Sequence, residues 1–284
     1  MISPGVDPGT PSVDQHRLPV DRLAATSLEE LTSEGALMTR TDRKYVVATH
    51  ALPSLMTAFQ ALDPNLKVLE IDGLRRQRYD STYLDTPELE AYWRAARSRR
   101  HRFKIRTRHY LDTDAAFTEV KTRGPRGTTV MARTGRAVPL DGATPSLTSA
   151  DDGFVETELH RAGLSHVDVS TLVPTLRTTY VRSTLWLPSS SSRATIDLDL
   201  TWSLPWSGDI ARVPGLAVIE TKTTGARTGV DRALWAQGHR PTRISKYATG
   251  LALLLPDLPA HRWHRVRTQQ LQSHVTYHHT EESA

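Results

Sequence analysis

Apolar and polar side chains alternate with a period of two through the middle of the chain, which is the pattern of strands with one covered face. Residues 193–202 show it most cleanly: Ala194, Ile196, Leu198 and Leu200 fall on one face, Thr195, Asp197, Asp199 and Thr201 on the other. The same reading places strands over 39–47, 67–71, 75–84, 99–110, 116–123, 128–138, 174–186 and 217–223. Asp72-Gly73, Asp112-Thr-Asp114 and the serines 189–192 supply the turns. Helical spacing or capping marks 23–36, 51–62, a segment opened by Asp85-Thr-Pro-Glu88 and running to Ala96, 151–162, 229–238, and an apolar stretch through Leu255 stopped by Pro256. The implied class is α+β: an antiparallel eight-stranded β-barrel, closed or nearly so, with peripheral short helices. Residues 1–20 hold several Pro and Gly and little apolar periodicity, so they are expected to be disordered. Residues 21–256 form the expected domain, and 257–284, rich in Arg and His, a solvated tail whose His274, His278 and His279 are not expected to hold metal.

The polar faces carry unusual charge. In 99–110, Arg100, Arg102, Lys104, Arg106 and Arg108 share one side, and His101, Phe103, Ile105 and Thr107 the other. Same-side neighbours lie roughly 6.6 Å apart, so these cations repel unless something anionic runs along them. A solvated edge strand guarded by charge is the plain alternative. Other strands repeat the pattern, however. Arg40, Asp42 and Lys44 share a face; so do Phe117, Glu119, Lys121 and Arg123; Thr178, Tyr180, Arg182 and Thr184; and Val218, Glu220 and Lys222. Arg126 and Arg133 are also available to reach an anion.

A barrel lined this way would repel itself when empty and becomes reasonable around a phosphate chain, which Arg grips as a fork and Lys as a point charge. The acids Asp42, Glu119, Asp197, Asp199 and Glu220 then read as ligands of Mg²⁺ or Mn²⁺, with salt bridges to the tunnel arginines as the alternative for Glu119, Asp197 and Asp199. Only six of the 36 basic residues are lysine, and five of them (Lys44, Lys104, Lys121, Lys222 and Lys246) lie in these segments, consistent with positions that want a compact charge.

Composition narrows the class further. With 38% hydrophobic and 24% charged residues the chain is globular, and its net charge of +5 suits an anionic partner. The absence of cysteine excludes disulfides and thiolate metal sites. The longest apolar run, 251–255, is far short of the roughly 20 residues a bilayer span requires. The first residues have no signal-peptide pattern, so a cytoplasmic location is expected. Trp202 and Trp206 flank Ser203-Leu-Pro205 and are expected to pack a loop rather than stack a nucleobase.

Taken in order, Arg40-Thr-Asp-Arg-Lys-Tyr45, Tyr83-Leu-Asp-Thr86, Phe103-Lys-Ile-Arg-Thr-Arg108, Glu119-Val-Lys121, Arg177-Thr-Thr-Tyr-Val-Arg182, Ile219-Glu-Thr-Lys222 and Ser245-Lys-Tyr247 resemble the VTC (polyphosphate polymerase) domain. That domain belongs to the triphosphate tunnel metalloenzymes, alongside the CYTH proteins. The resemblance spans roughly 36–255 and implies an eight-stranded tunnel that binds ATP, triphosphate or polyphosphate with a divalent metal. By motif, Lys44, Arg106, Arg108, Lys121, Tyr180, Arg182 and Lys246 would line the phosphate path, Glu220 would hold the metal and Lys222 would stand beside it. Arg106, Arg108, Lys121 and Arg182 are the expected catalytic set; Lys44, Lys104, Tyr180, Lys222, Ser245 and Lys246 the phosphate-binding set; Glu220, Glu119 and Asp197 the metal candidates. One departure matters. The superfamily's Glu-x-Glu-x-Lys reads Arg40-Thr-Asp42-Arg-Lys44 here, which removes metal-ligand capacity and favours the polymerase-like branch over a triphosphatase. The SPX domain and membrane segments of eukaryotic members have no counterpart, so membrane attachment would go through a separate membrane-protein partner. The alternatives are an inorganic triphosphatase or NTPase of the same fold, a non-catalytic polyphosphate-binding module, and a nucleic-acid binder. The last is disfavoured because the basic strand offers no aromatic stacking platform.

Overall fold

The computed structural model describes residues 18–33, 41–124, 129–138, 147–223 and 227–279. The expectation of disorder for 1–20 falls outside the described residues up to 17 and is corrected at 18–20, where a 3₁₀ turn over Pro19–Arg22 buries Leu18 and Val20 and Arg76 donates to the Leu18 carbonyl. The candidates Arg40 and Arg126 also lie outside the described residues.

Eight long strands carry the fold: β1 (Thr41–Ala48), β2 (Gln77–Asp85), β3 (Phe103–Tyr110), β4 (Ala115–Arg123), β5 (Thr129–Arg136), β6 (Val173–Leu187), β7 (Ser192–Ser203) and β8 (Leu216–Thr223). They pair antiparallel in the order β1-β8-β7-β6-β2-β3-β4-β5. Among the described residues no pairing returns from β5 to β1, so the expected barrel is not closed by backbone hydrogen bonds. The sheet nonetheless curls. Lys121 on β4 feels the charges of Lys44 and Asp42 on β1 and of Glu220 on β8, strands far from it in the pairing order. Four short strands lie outside this set: 24–26 pairs with 67–69, and 276–278 pairs with 210–212, which pairs antiparallel with the end of β7.

Helices cover the convex face. α1 (Leu52–Leu62) and α4 (Gly229–Ala236) bury Leu55, Met56, Phe59 and Leu234 against Tyr45 and Val47 of β1, Ile196 of β7 and Ile219 of β8. α2 (Glu90–Ala96) and α3 (Ser149–Arg161) cover Phe103, Ile105 and Val120 of β3 and β4. Two buried aspartates tie helices to strands. Asp231 completes the capping box of α4 with Thr228 and accepts from Tyr45 Oη at 2.7 Å and Thr221 Oγ1 at 2.7 Å. Asp151 does the same for α3 with Thr148, Thr118 and Arg136. α5 (Lys246–Leu254) lies inside the curl, where Tyr247 and Leu251 meet Tyr83, Leu176, Val218 and Trp202. Gly250 is required there: a Cβ would stand 2.2 Å from Trp202 Cδ1.

Three further expectations are corrected. First, the alternation in β7 breaks at Asp199, whose φ is +54° and where the register with β6 shifts between Thr179 and Val181. A bulge adds one residue and flips the faces beyond it. Hence Ala194, Ile196 and Leu198 join the α1–α4 core, whereas Leu200 and Trp202 turn inward to α5. Asp197 is buried and Asp199 exposed, so they do not share a face. Second, the segment read as a solvated tail is built into the domain. Trp263, Val266 and Leu271 are buried, and a π-helical turn over Arg267–Leu271 sets their last spacing at five residues, a period that a helix or strand pattern does not reveal. Third, α2 begins at Glu90, later than Asp85-Thr-Pro predicts, yet the Asp85 carboxylate still accepts from Ala91 N at 2.8 Å and Tyr92 N at 3.0 Å.

Candidate functional site

One wall of the hollow is the β3–β4 hairpin. Its register sets Lys104 opposite Lys121 and Arg106 opposite Glu119. Side chains at i, i+2 and i+4 of a strand share a face, so Lys104, Arg106 and Arg108 all enter the curl while Phe103, Ile105 and Thr107 stay in the outer core. Arg106 Nε donates to Glu119 Oε2 at 2.6 Å and its Nη1 to Tyr83 Oη at 3.1 Å. Arg108 Nη1 reaches the other Glu119 oxygen at 3.8 Å and lies 5.3 Å from the Tyr79 ring centre. Lys104 Nζ donates to Ser245 Oγ at 2.8 Å, and Ser245 caps α5.

The facing wall comes from β6, β7, β8 and β1. Arg182 holds Asp197 with two bonds, Nε–Oδ1 at 2.5 Å and Nη2–Oδ2 at 2.8 Å. Lys246 pairs with the same carboxylate, and its Nζ stands 4.4 Å from the Tyr180 ring centre. Lys222 Nζ is 3.1 Å from Glu220 Oε1, and Glu220 is registered against Lys44. Tyr79 and Tyr180 stack with centroids 5.1 Å apart, and the Arg182 guanidinium lies 5.2 Å from each ring centre. Ring faces attract cations, which helps this crowd persist without a ligand.

The charges do not cancel. Among the described residues, Lys44, Lys104, Arg106, Arg108, Lys121, Arg182, Lys222 and Lys246 face only Asp42, Glu119, Asp197 and Glu220. Burial together with Lys44 and Lys121 drives the Lys104 ammonium well below its usual range. Burial and Lys44 bring Lys121 down to about 8. Burial also lowers Lys222 and Lys246, despite Glu220 and Asp197 beside them. Burial alone would raise Glu119, but Arg106 and Arg108 outweigh it and hold the carboxyl at about 2. Glu220 is likewise held well below the usual carboxylate range, Lys222 and Lys44 overcoming the effect of burial. Lysines whose hold on their proton is weakened are what a site prepared for an anion would show, because a bound anion strengthens it again.

Arg106, Arg108, Lys121, Arg182, Lys44, Lys104, Tyr180, Lys222, Ser245, Lys246, Glu220, Glu119 and Asp197 thus meet in this hollow, whereas Asp199, also read as a possible metal ligand, is exposed at the bulge and does not. Tyr79 has no part in the sequence reading, and Tyr83 enters it only through the Tyr83–Thr86 motif, although alternation over 77–85 places both with Ser81 on one face. The acids deserve separation. Glu119 and Asp197 are each engaged by two cations, the salt-bridge alternative for both. Among the described residues no three His, Cys, Asp or Glu side chains gather. A divalent ion here would therefore have Glu220 as its main protein ligand and take its other oxygens from phosphate and water, a mode Mg²⁺ accepts. Trp202 is fully buried against α5 and cannot stack a base. No described helix is long and apolar enough to cross a membrane.

No curated protein matches the chain. Among solved structures, a candidate adenylyl cyclase from Hippeastrum with a dominant triphosphatase activity is 14% identical, with 79% of this chain and 100% of that chain covered and a TM-score of 0.44. Candidate adenylate cyclases from Vibrio parahaemolyticus (13% identity, 75% and 98% covered, TM-score 0.42) and Bacillus halodurans (12%, 73% and 95%, 0.39) are similarly distant. The family model of the VTC domain matches residues 39–255, the span that holds both walls of the hollow, and the chain belongs to the VTC domain family.

Proposed function

We propose that the protein transfers the γ-phosphoryl group of ATP to a growing polyphosphate chain. The observation that carries this reading is the cationic excess on two facing walls, with Arg106, Arg108 and Lys121 on one and Lys44, Arg182 and Lys222 on the other. Phosphoryl transfer asks little covalent chemistry of a protein; it asks for alignment and for positive charge around the equatorial oxygens. Arg106, Arg108, Lys121 and Arg182 serve the transferring group. Lys44, Lys104, Lys222, Ser245 and Lys246 hold the flanking phosphates, and Tyr180 steadies Lys246 and Arg182 through its ring. Glu119 and Asp197 act as positioning residues that fix the guanidinium planes. A divalent ion, Mn²⁺ or Mg²⁺, would be held by Glu220 and would supply positive charge that offsets part of the phosphates' negative charge.

Hydrolysis of a short triphosphate is the second reading, favoured by α5, which packs inside the curl and takes up part of its interior. Purified protein with ATP and Mn²⁺ separates the two. A ladder of long chains on a product-length gel supports the polymerase; ADP with orthophosphate and no chains moves the assignment to the hydrolase. Arg106→Ala is expected to lower either rate by about 10²–10³-fold.

A further inference from the structure

A cavity of about 410 Å³ adjoins the hollow and shares Lys104 and Lys121 with its wall. Among the described residues its remaining charged lining is four arginines, Arg102, Arg123, Arg243 and Arg262, with no carboxylate. Arg102 and Arg123 continue the inward faces of β3 and β4 by one step, their backbones joined by Arg123 N to Arg102 O at 3.2 Å. Arg243 comes from the loop before α5, and Arg262 from the C-terminal segment, where it donates to Ser98 Oγ. No described salt bridge occupies any of the four. They crowd one another enough that burial and their own mutual repulsion lower Arg102 and Arg262. Arg262 lies beyond the 39–255 family match, so this feature is built partly by sequence outside the family domain.

Four converging guanidiniums without acidic partners, open to solvent on one side and to a phosphate tunnel on the other, form an anion path rather than a packing device. We propose that this vestibule binds the part of a polyphosphate chain that extends out of the tunnel, so that the protein holds long chains more tightly than short ones. This rests on the polyphosphate reading of the tunnel. Planar guanidiniums suit the successive tetrahedral phosphates of such a chain, and the lack of an exposed aromatic in the lining disfavours a nucleic-acid strand.

The test is calorimetric titration of the full chain with tripolyphosphate and with long-chain polyphosphate at two salt concentrations, for wild type and Arg243→Ala/Arg262→Ala. Affinity for the long chain is expected to fall about tenfold or more, with a shallower salt dependence. Tripolyphosphate affinity is expected to stay unchanged. Arg123→Ala/Arg243→Ala removes two exposed side chains, leaves the Arg262–Ser98 bond in place and should behave alike. Equal losses for both ligands, or no loss for either, would overturn the vestibule and leave the tunnel standing. Wild-type protein that binds neither ligand would overturn both.

Discussion

At the scale of single residues, the hollow is held together by acids that answer arginines and left unbalanced by lysines that nothing answers fully. Glu119 is the clearest case of the first. Glu119→Gln leaves Arg106 and Arg108 buried without their carboxylate, which is expected to cost about 3–5 kcal/mol of stability. Denaturant titration should show much of that loss recovered when tripolyphosphate is added, because the ligand supplies the missing negative charge. Glu119 also sets an acid limit. Its folded value of about 2 lies below the ordinary 4.5, so its stabilisation is complete above 4.5 and is lost as pH falls toward 2. Lys121 works in the opposite sense. Its folded value of about 8 lies below the ordinary 10.5, so the folded state carries the penalty of a crowded charge below 8. Ligand-free stability should therefore gain from this group as pH rises from 8 to 10.5. Binding tripolyphosphate near pH 8.5 should draw protons onto the lysines, visible as a dependence of binding heat on buffer ionisation enthalpy. Lys121→Met should reduce that uptake and raise the ligand-free Tm.

At the scale of elements, α5 links the site to the core. Its cap Ser245 receives Lys104, its first residue Lys246 pairs with Asp197, and Trp202 Nε1 donates to the Lys246 carbonyl at 2.6 Å. Gly250→Ala forces a methyl into the Trp202 ring and is expected to lower stability by about 1–3 kcal/mol. Because the displaced helix carries Lys246 and Ser245, tripolyphosphate affinity should fall with it; unchanged binding would show that α5 does not position the site. Much of this architecture could be read from alternation. The charged faces of β1, β3, β4, β6 and β8 follow directly from a period of two, as does the covered face of β7 up to Leu198. What escaped needed information that a strand does not carry alone. The bulge at Asp199 is decided by its register with β6, and it alone turns Trp202 from a loop residue into the partner of Gly250. The C-terminal segment escaped because three buried apolar residues are too sparse, and a π-turn too rare, to register as a period. The lysines could be picked out against an arginine background; which acid answers which cation could not, since that depends on pairing across strands distant in sequence.

At the scale of the whole molecule, the sheet runs as one antiparallel ribbon with its two ends, β1 and β5, not joined among the described residues. Such a curl is kept by the helices packed outside and α5 packed inside, while like charges on its inner surface press it open. A phosphate chain lying between the walls would convert that repulsion into attraction across the gap. The central claim is that the inward cations share a single phosphate chain. A crystal structure of the protein grown with tripolyphosphate and Mn²⁺ tests it most directly. The account predicts phosphate density between Arg106 and Lys121 on one side and Arg182 and Lys222 on the other, with Glu220 beside it. Phosphates found only at arginines on the outer surface, with nothing between those walls, would contradict it.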